Sequence, residues 1–248
     1  MRMLAKTWAI LAVLSLALSA SAHAVGGIYF DDVSVSNNGK VVFADNFNDG
    51  NIDGWKIARP DVRCIQTETK PINYCLYLNR LNDINTYASR LQTINNVGAF
   101  EVKAFVNLPP AKEQWGYRRG RRDTTRIDVM TARNQHWFYV AIQLEPKESA
   151  CRLQLTYVKQ PEKGPDGKIT KSNSEDFRTQ SPVVPLCAWA EIAFTLDPVK
   201  KKATVLLDGK PQVSCDYDPS QIKNVISVDL TTWMGDMAIT ATPSGNAM

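Results

Sequence analysis

The stretch that decides the fold reads KVVFADNFNDGNIDGWK and runs from Lys40 to Lys56. Its short apolar start predicts a β-strand. The Asn, Asp and Gly residues that follow predict a tight loop, because they tolerate left-handed backbone and close Asx turns. Three large apolar side chains are predicted to pin this loop to a core: Phe43, Phe47 and Trp55.

The first 24 residues have the pattern of a signal peptide. Arg2 and Lys6 give a positive start, an apolar run follows, and Ala22-His23-Ala24 is a small-x-small cleavage site. We expect cleavage after Ala24, with cleavage after Ala22 as the alternative. The apolar run is shorter than the roughly 18 residues that a membrane helix needs. The sequence therefore predicts an exported protein, periplasmic or extracellular, without a membrane span.

Residues 25–248 are predicted to form one β-sandwich-sized domain. Without Arg2 and Lys6 the chain carries 27 basic residues against 25 acidic ones, so its net charge favours no particular partner. A nearly neutral chain is not expected to bind nucleic acid. Five cysteines follow the signal peptide, and export favours disulfides between them. The short polar loop between Cys64 and Cys75 makes these two the preferred pair, although sequence leaves other pairings open. The cysteines are Cys64, Cys75, Cys151, Cys187 and Cys215.

Short runs with period-two alternation, separated by Pro, Gly and Asn clusters, predict an all-β chain with few helices. Short connections favour a two-sheet antiparallel β-sandwich. Two polar stretches, 108–123 and 160–185, are predicted to be loops from their Pro, Gly and charge content. The predicted strands are 28–35, 41–47, 74–79, 86–93, 97–106, 124–131, 137–145, 151–159, 189–196, 203–208, 211–216, 225–232 and 236–242.

The opening stretch resembles a known family. Its pattern, Phe-x-Asp-x-Phe-x-Asp-Gly from Phe43 and then Gly54-Trp55, resembles the first strand of concanavalin A-like jelly rolls. The stretch 189–196, followed by a strand that ends in Asp208-Gly209, resembles a strand pair of laminin G-like domains in the same superfamily. The resemblance implies a jelly-roll fold and, since the superfamily contains lectins, carbohydrate-binding modules and laminarinase-like glucanases, a glycan or polysaccharide partner.

One strand departs from the order of the family. The stretch 27–35, GIYFDDVSV, resembles the strand that usually closes such domains, yet it precedes the opening motif. The first and last strands of these sandwiches lie side by side, so the closing strand can be supplied from the front. The alternatives are that 236–241 closes the sheet or that both strands are present.

A structural calcium ion is implied by the resemblance. Laminarinase-like domains tie the first strand to the last with calcium held by oxygens of both. Carried onto this sequence, the ligands are Asp31, Asp45 and the carbonyl of Gly50. The alternative is that Asp45 and Asp49 cap Asx turns without a metal. The spacing does not match an EF-hand loop.

Catalytic motifs are missing from the sequence. His136 is the only histidine beyond residue 24, which excludes multi-histidine metal sites, and it lies in a predicted turn. The Glu-x-Asp-x-x-Glu strand of laminarinase-like enzymes and the signatures of jelly-roll alginate lyases have no counterpart. The resemblance therefore favours binding over cleavage.

The predicted strands 124–131, 137–145 and 151–159 place polar and aromatic side chains on one face. If the strands are neighbours, that face can stack sugar rings and bind their hydroxyls, although an ordinary solvent face has the same polarity. The 108–123 loop adds an aromatic pair beside a cluster of Arg, suited to an acidic sugar, or alternatively a solvated charged loop. The candidate ligand-binding residues are Trp115, Tyr117, Arg119, Arg126, Asp128, Trp137, Tyr139 and Gln143.

The sequence thus predicts an exported, non-catalytic, lectin-like protein that binds a glycan, with an acidic polysaccharide among the candidates. Two alternatives stay open. One is a polysaccharide-active enzyme, a glycoside hydrolase or lyase on the same fold. The other is a structural or adhesion protein of the cell envelope.

Overall fold

The computed structural model describes residues 27–57, 62–67, 73–79, 86–108, 122–131, 137–144, 150–163, 165 and 169–235. These residues form strands connected by turns, with one short 3₁₀ turn at Pro219–Gln221. Within these ranges, no helix is long and apolar enough to cross a membrane.

The strands of the described residues are β1 (Gly27–Asn37), β2 (Lys40–Asp45), β3 (Lys56–Ile57), β4 (Val62–Thr67), β5 (Asn73–Asn79), β6 (Thr86–Asn95), β7 (Phe100–Asn107), β8 (Arg122–Thr131), β9 (Trp137–Leu144), β10 (Ala150–Lys163), β11 (Ile169–Arg178), β12 (Val184–Pro185), β13 (Trp189–Asp197), β14 (Lys202–Leu207), β15 (Lys210–Asp216) and β16 (Asn224–Gly235).

The strands build two antiparallel sheets. Sheet 1 has the order β15-β14-β13-β7-β1-β5-β4, with β2 also paired to β1. Sheet 2 has the order β11-β10-β9-β8-β16-β6-β3, with β12 paired to β10. The predicted all-β, two-sheet antiparallel sandwich is confirmed.

The hydrophobic core lies between the two sheets because the strands alternate as predicted. On β7, Phe100, Val102, Ala104 and Val106 are buried, while the residues between them are only partly so. The ring of Phe138 in sheet 2 lies 5.2 Å from that of Phe194 in sheet 1, measured between centroids. Side chains from both sheets thus join into one apolar cluster.

The opening stretch folds as its residues predict. Phe43, Phe47 and Trp55 are buried, and the Trp55 ring lies against both phenylalanines, with centroids at 6.2 and 5.9 Å. Between these anchors a series of Asx turns closes the loop, each side-chain oxygen accepting from the backbone N–H two residues later. The acceptors are Asp45, Asn46, Asp49 and Asn51, at 2.9 to 3.1 Å.

Strand β1 lies in the interior of sheet 1, where it pairs with β7 on one side and with β2 and β5 on the other. The strand ahead of the opening motif therefore does pair with the motif's own strand. The rival stretch, 236–241, lies outside the described residues.

One predicted loop is wrong in part. Within 160–185, Ile169–Arg178 forms β11, which pairs with β10 at the end of sheet 2. The stretch escaped prediction because an end strand has little apolar surface to bury, so its alternation is weak. The shorter strand β4 was missed as well.

The disulfide expectation is wrong for the preferred pair. Cys64 lies opposite Leu76, and Cys75 lies opposite Ile65, so the register is offset by one residue. Successive side chains point to opposite faces of a strand, and the two sulfur atoms are therefore on different sides of the sheet. None of the five cysteines forms a disulfide.

Candidate functional site

The face of sheet 2 that points away from the core brings together most of the described candidate residues. Strands β8, β9 and β10 are neighbours, as the prediction required. Arg126 and Asp128 on β8 share this outer face with Trp137, Tyr139 and Gln143 on β9. The alternating residues of the same strands, such as Ile127 and Phe138, lie in the core.

Three candidates cannot be placed. Trp115, Tyr117 and Arg119 lie outside the described residues, as does His136. Their assignment to a binding site stays a prediction.

A continuous row of polar side chains crosses the outer face of sheet 2. Each member lies opposite the next one in the backbone register, so the row needs no long side chain to bridge a gap. From β11 to β3 its members are Asp176, Thr156, Tyr139, Asp128, Asp229, Ser89 and Lys56.

Arg126 joins the centre of this row. Its guanidinium carbon lies 3.8 Å from the centroid of the Tyr139 ring, a cation–π stack. Its Nε donates a hydrogen bond of 3.0 Å to Oδ1 of Asp128, and its Nη2 donates to the same oxygen. The Thr231 hydroxyl donates to the other oxygen, Oδ2, at 3.2 Å. Arg126 is therefore held by Tyr139 and Asp128, and Asp128 is held by Arg126 and by Thr231 on β16.

A buried hydrogen-bonded network extends the row toward β11. The Gln143 amide donates to Oε1 of Gln154 at 2.6 Å, and the Gln154 amide donates to the Thr156 hydroxyl at 2.7 Å. Thr156 in turn donates to Oδ1 of Asp176 at 2.7 Å. Burial raises the pKa of Tyr139, whose hydroxyl also bonds Thr156. Two glutamines, a threonine and a tyrosine thus lie out of solvent on the outward side of a sheet.

Asp229 on β16 is a member of the site that sequence reasoning missed. It lies directly opposite Asp128 and accepts a hydrogen bond of 2.5 Å from the Ser89 hydroxyl. Burial raises the pKa of Asp229, and the negative charge of Asp128 adds to the effect, while hydrogen bonds from Ser89 and Ser227 oppose it. Alternation along the predicted strand 225–232 is the signal that could have found it, since Asp229 lies between the apolar residues Val228 and Leu230, which are buried. The sequence did not show which strand would lie beside the strand of Asp229 in the sheet.

A small apolar cluster borders the row. Tyr139, Ala141 and Val158 pack together on the outer face, and Trp137, only partly buried, packs against them at one end. Trp137 is therefore an aromatic ring of this face with surface left for a ligand, whereas Tyr139 is only 6% exposed.

The expected calcium ligands lie near the opening motif. Asp45 accepts from the Phe47 N–H through Oδ1 at 2.9 Å and from the Trp55 indole N–H through Oδ2 at 2.7 Å. Asp31 accepts from the Asp32 N–H at 2.8 Å. In the described ranges no group of three or more His, Cys, Asp or Glu side chains is placed to hold a metal ion. Asp45 therefore has the contacts of an Asx-turn cap, and calcium binding stays a prediction.

No protein-family model matches the chain, and comparison with curated proteins finds no match. Among solved structures, the chain is similar to a carbohydrate-binding module from Bacillus subtilis, with 8% identity, a TM-score of 0.39, and coverage of 75% of this chain and 94% of the other. It is also similar to a Bacillus licheniformis beta-glucanase, with 14% identity, a TM-score of 0.40, and coverage of 90% and 92%. For sheep galectin-11 the identity is 14%, the TM-score 0.36, and the coverage 59% and 92%. These likenesses concern the fold alone.

Proposed function

We propose that the protein is exported and binds a glycan on the outer face of sheet 2. The observation that carries this proposal is the row from Asp176 to Lys56, to which seven neighbouring strands each contribute one polar side chain. Sugar hydroxyls bind to planar amides, carboxylates and guanidinium groups, while their CH faces stack on aromatic rings. The row offers the polar groups, and Trp137 at its border offers the ring.

The burial of the hydrogen-bonded network beside this row supports a functional role. Side chains such as Gln143, Gln154 and Thr156 lose their water on folding, and apolar residues at the same positions would avoid that cost. Their mutual hydrogen bonds keep each group in one orientation. A ligand that binds to such a fixed array does not have to order it first, which favours affinity.

The charges on this face favour a neutral glycan over an acidic one. Arg126 is paired with Asp128, and Arg178 lies 3.6 Å from Asp176. The Arg152 guanidinium donates to the backbone carbonyls of Thr179 and Gln180. Because these guanidinium groups already have acceptors, an incoming carboxylate or sulfate would have to displace them.

Glycan-array screening of the purified protein, followed by calorimetry on the best ligand, tests this proposal. Trp137→Ala is expected to weaken binding about tenfold or more, which corresponds to about 1.4 kcal/mol. Tyr139→Phe keeps the ring under Arg126 and removes only the hydroxyl, so it isolates the polar network. Gln212→Ala on β15, in the other sheet, is the matched control. Binding that is absent for all glycans, or unaffected by Trp137→Ala, would overturn the proposal.

A second candidate function, cleavage of the bound glycan, is favoured by the Asp128 and Asp229 pair. Directly opposed residues of antiparallel strands have Cβ atoms about 4.5–5.5 Å apart, which suits two carboxyl groups flanking one glycosidic bond. In this function Asp229, whose pKa is raised, protonates the leaving oxygen, and Asp128 acts as the opposing carboxylate. The release of reducing ends from a polysaccharide panel, lost in Asp229→Asn while binding persists, supports cleavage. Unsaturated products instead indicate a lyase.

A further inference from the structure

The outer face of sheet 1, on the opposite side of the sandwich, carries a second row of chemically related side chains. The row follows the backbone register across five adjacent strands, as the polar row of sheet 2 does. From β13 to β4 its members are Trp189, Asn107, Tyr29, Tyr77 and Arg63. None of these residues belongs to the core cluster.

We call this second row the aromatic row. The side chains in one half of it pack against one another. The rings of Tyr29 and Tyr77 lie 5.4 Å apart between centroids, and the Arg63 guanidinium carbon lies 5.4 Å from the Tyr77 centroid. Tyr77 is only 2% exposed and is held between these two neighbours. Tyr29 is partly exposed, and burial raises its pKa, with Tyr77 and Cys75 adding to the effect.

The other half offers partly exposed rings and polar groups. Trp189 and Asn107 are partly exposed, and so is Phe105, which lies on the same face two residues from Asn107 on β7. In the described part of the chain, no hydrogen bond is made by the Trp189 indole N–H, the Asn107 amide or the Tyr29 hydroxyl. The amide of Asn107 thus lies between two aromatic residues on neighbouring strands, with its donors and acceptor available.

The two outer faces therefore differ in one important respect. On sheet 2 the polar groups are bonded to one another, whereas on sheet 1 an amide, an indole N–H and a phenol alternate with open ring surface. That alternation matches a pyranose ring, which presents CH groups on its faces and hydroxyls on its edge. Around the row, charges of both signs are present, including exposed Arg63 and the Lys103–Glu101 pair at 3.4 Å, so the face has no strong field for a charged ligand.

We propose that the aromatic row of sheet 1 is a second carbohydrate-binding surface, which takes a neutral, hydroxyl-rich segment of a polysaccharide. Trp189 and Tyr29 stack on the sugar rings, and Asn107 bonds to hydroxyls between them. This surface goes beyond the site on sheet 2 and uses none of its residues. Because the two rows lie on opposite sides of the sandwich, one molecule of the protein links two polysaccharide chains.

The test measures binding and cross-linking with the purified protein and a panel of neutral polysaccharides. The two substitutions in the row are Trp189→Ala and Asn107→Ala, of which the second removes only an amide and is the milder for folding. Thr195→Ala, on the same strand and face as Trp189 but away from the row, is the matched control. Melting temperatures of all variants establish that they are folded.

Both row variants are expected to weaken one of two binding sites about tenfold in calorimetry and to abolish the precipitation or gelling of long chains, while Thr195→Ala behaves as the wild type. Trp137→Ala is expected to impair the other site and leave this one intact, so failure of the sheet 2 site and failure of this site are distinguishable. A single site unaffected by Trp189→Ala and Asn107→Ala overturns the proposal. So does a face that binds protein and no glycan.

Discussion

Asp229 lies directly opposite Asp128 on neighbouring strands of sheet 2, and the two carboxyl groups share the centre of the polar row. Asp128 has a cationic partner in Arg126, whereas Asp229 is bonded by the neutral Ser89. Burial raises the pKa of Asp229, and the negative charge of Asp128 adds to the effect.

The first prediction concerns the pH dependence of stability. The pKa of Asp229 is raised in the folded protein by burial and by Asp128, so the folded state binds a proton more tightly than the unfolded chain does. Stability from this group is therefore fully present below the unfolded pKa, about 3.9, and is lost as pH rises through the folded pKa. Asp229→Asn is expected to raise the melting temperature at pH 7, with the gain shrinking as the pH is lowered towards 4.

Thermal unfolding from pH 4 to pH 8 measures this difference. Asp176→Asn, a carboxylate in the same row, is a matched control. A gain for Asp229→Asn that is constant over the whole range would contradict the assignment, since it would not follow titration of the group.

The second prediction compares two ion pairs on the same face. The side chains of Arg126 and Asp128 are 14% and 7% exposed, whereas those of Arg178 and Asp176 are 36% and 30% exposed. Arg126→Met leaves a carboxylate buried without its cation and is expected to cost about 3 kcal/mol of unfolding free energy. Arg178→Met is expected to cost less than about 1 kcal/mol, since water screens an exposed pair. Urea unfolding of both variants measures these losses of unfolding free energy. Equal losses would mean that the Arg126–Asp128 pair is solvated.

The third prediction concerns the cysteines. Burial, with a smaller contribution from Asp31, raises the pKa of the Cys75 thiol to about 12, and burial raises that of Cys215 to about 12. Cys187 is exposed. Alkylation of the native protein at pH 8 is therefore expected to modify Cys187 first, because the reactive species is an accessible thiolate. After denaturation without reductant, five alkylated cysteines are expected, and fewer would indicate a disulfide in the purified protein.

The fourth prediction tests calcium. A ligand that binds only the native state stabilises it, so the site expected from Asp31, Asp45 and the Gly50 carbonyl predicts a higher melting temperature with calcium than with a chelator. Asp45→Asn retains an oxygen for the Phe47 N–H but loses the charge, and is expected to abolish the shift. The alternative of Asx-turn caps without metal predicts no shift in either protein.

The fifth prediction tests export. When the full chain is expressed in a bacterium, the protein recovered outside the cytoplasm is expected to begin at Val25, and intact mass measurement reads the cleavage site directly. Cleavage after Ala22 would shift the first residue to His23. A product that retains Met1 inside the cell would contradict the signal peptide.

The structure of the opening stretch could be predicted from the local chemistry of its residues. Phe43, Phe47 and Trp55 are the anchors expected from their size, and the Asn, Asp and Gly residues between them close the turns expected from their short side chains and permissive backbones. The same reasoning placed Tyr139 and Arg126 on an outward face, since alternation along a strand is a local property.

Strand β11 and the cysteine pair show where such reasoning fails. The edge strand has few apolar residues, so its pairing with β10 rather than its own sequence makes it a strand. For Cys64 and Cys75, a register offset of one residue reverses the face of each side chain. Neither property is encoded in the spacing of residues along the chain.

By itself the sequence determined the all-β class, most of its strands, the inward and outward sides of those strands, and the loop after Asp45, because all of these depend on residues close together in the chain. Only the tertiary structure decided that Asp229 faces Asp128, that Tyr139 is buried under Arg126, and that Trp189, Asn107 and Tyr29 form a row. Those relations depend on which strands become neighbours and in what register, and that is fixed by packing of the whole core.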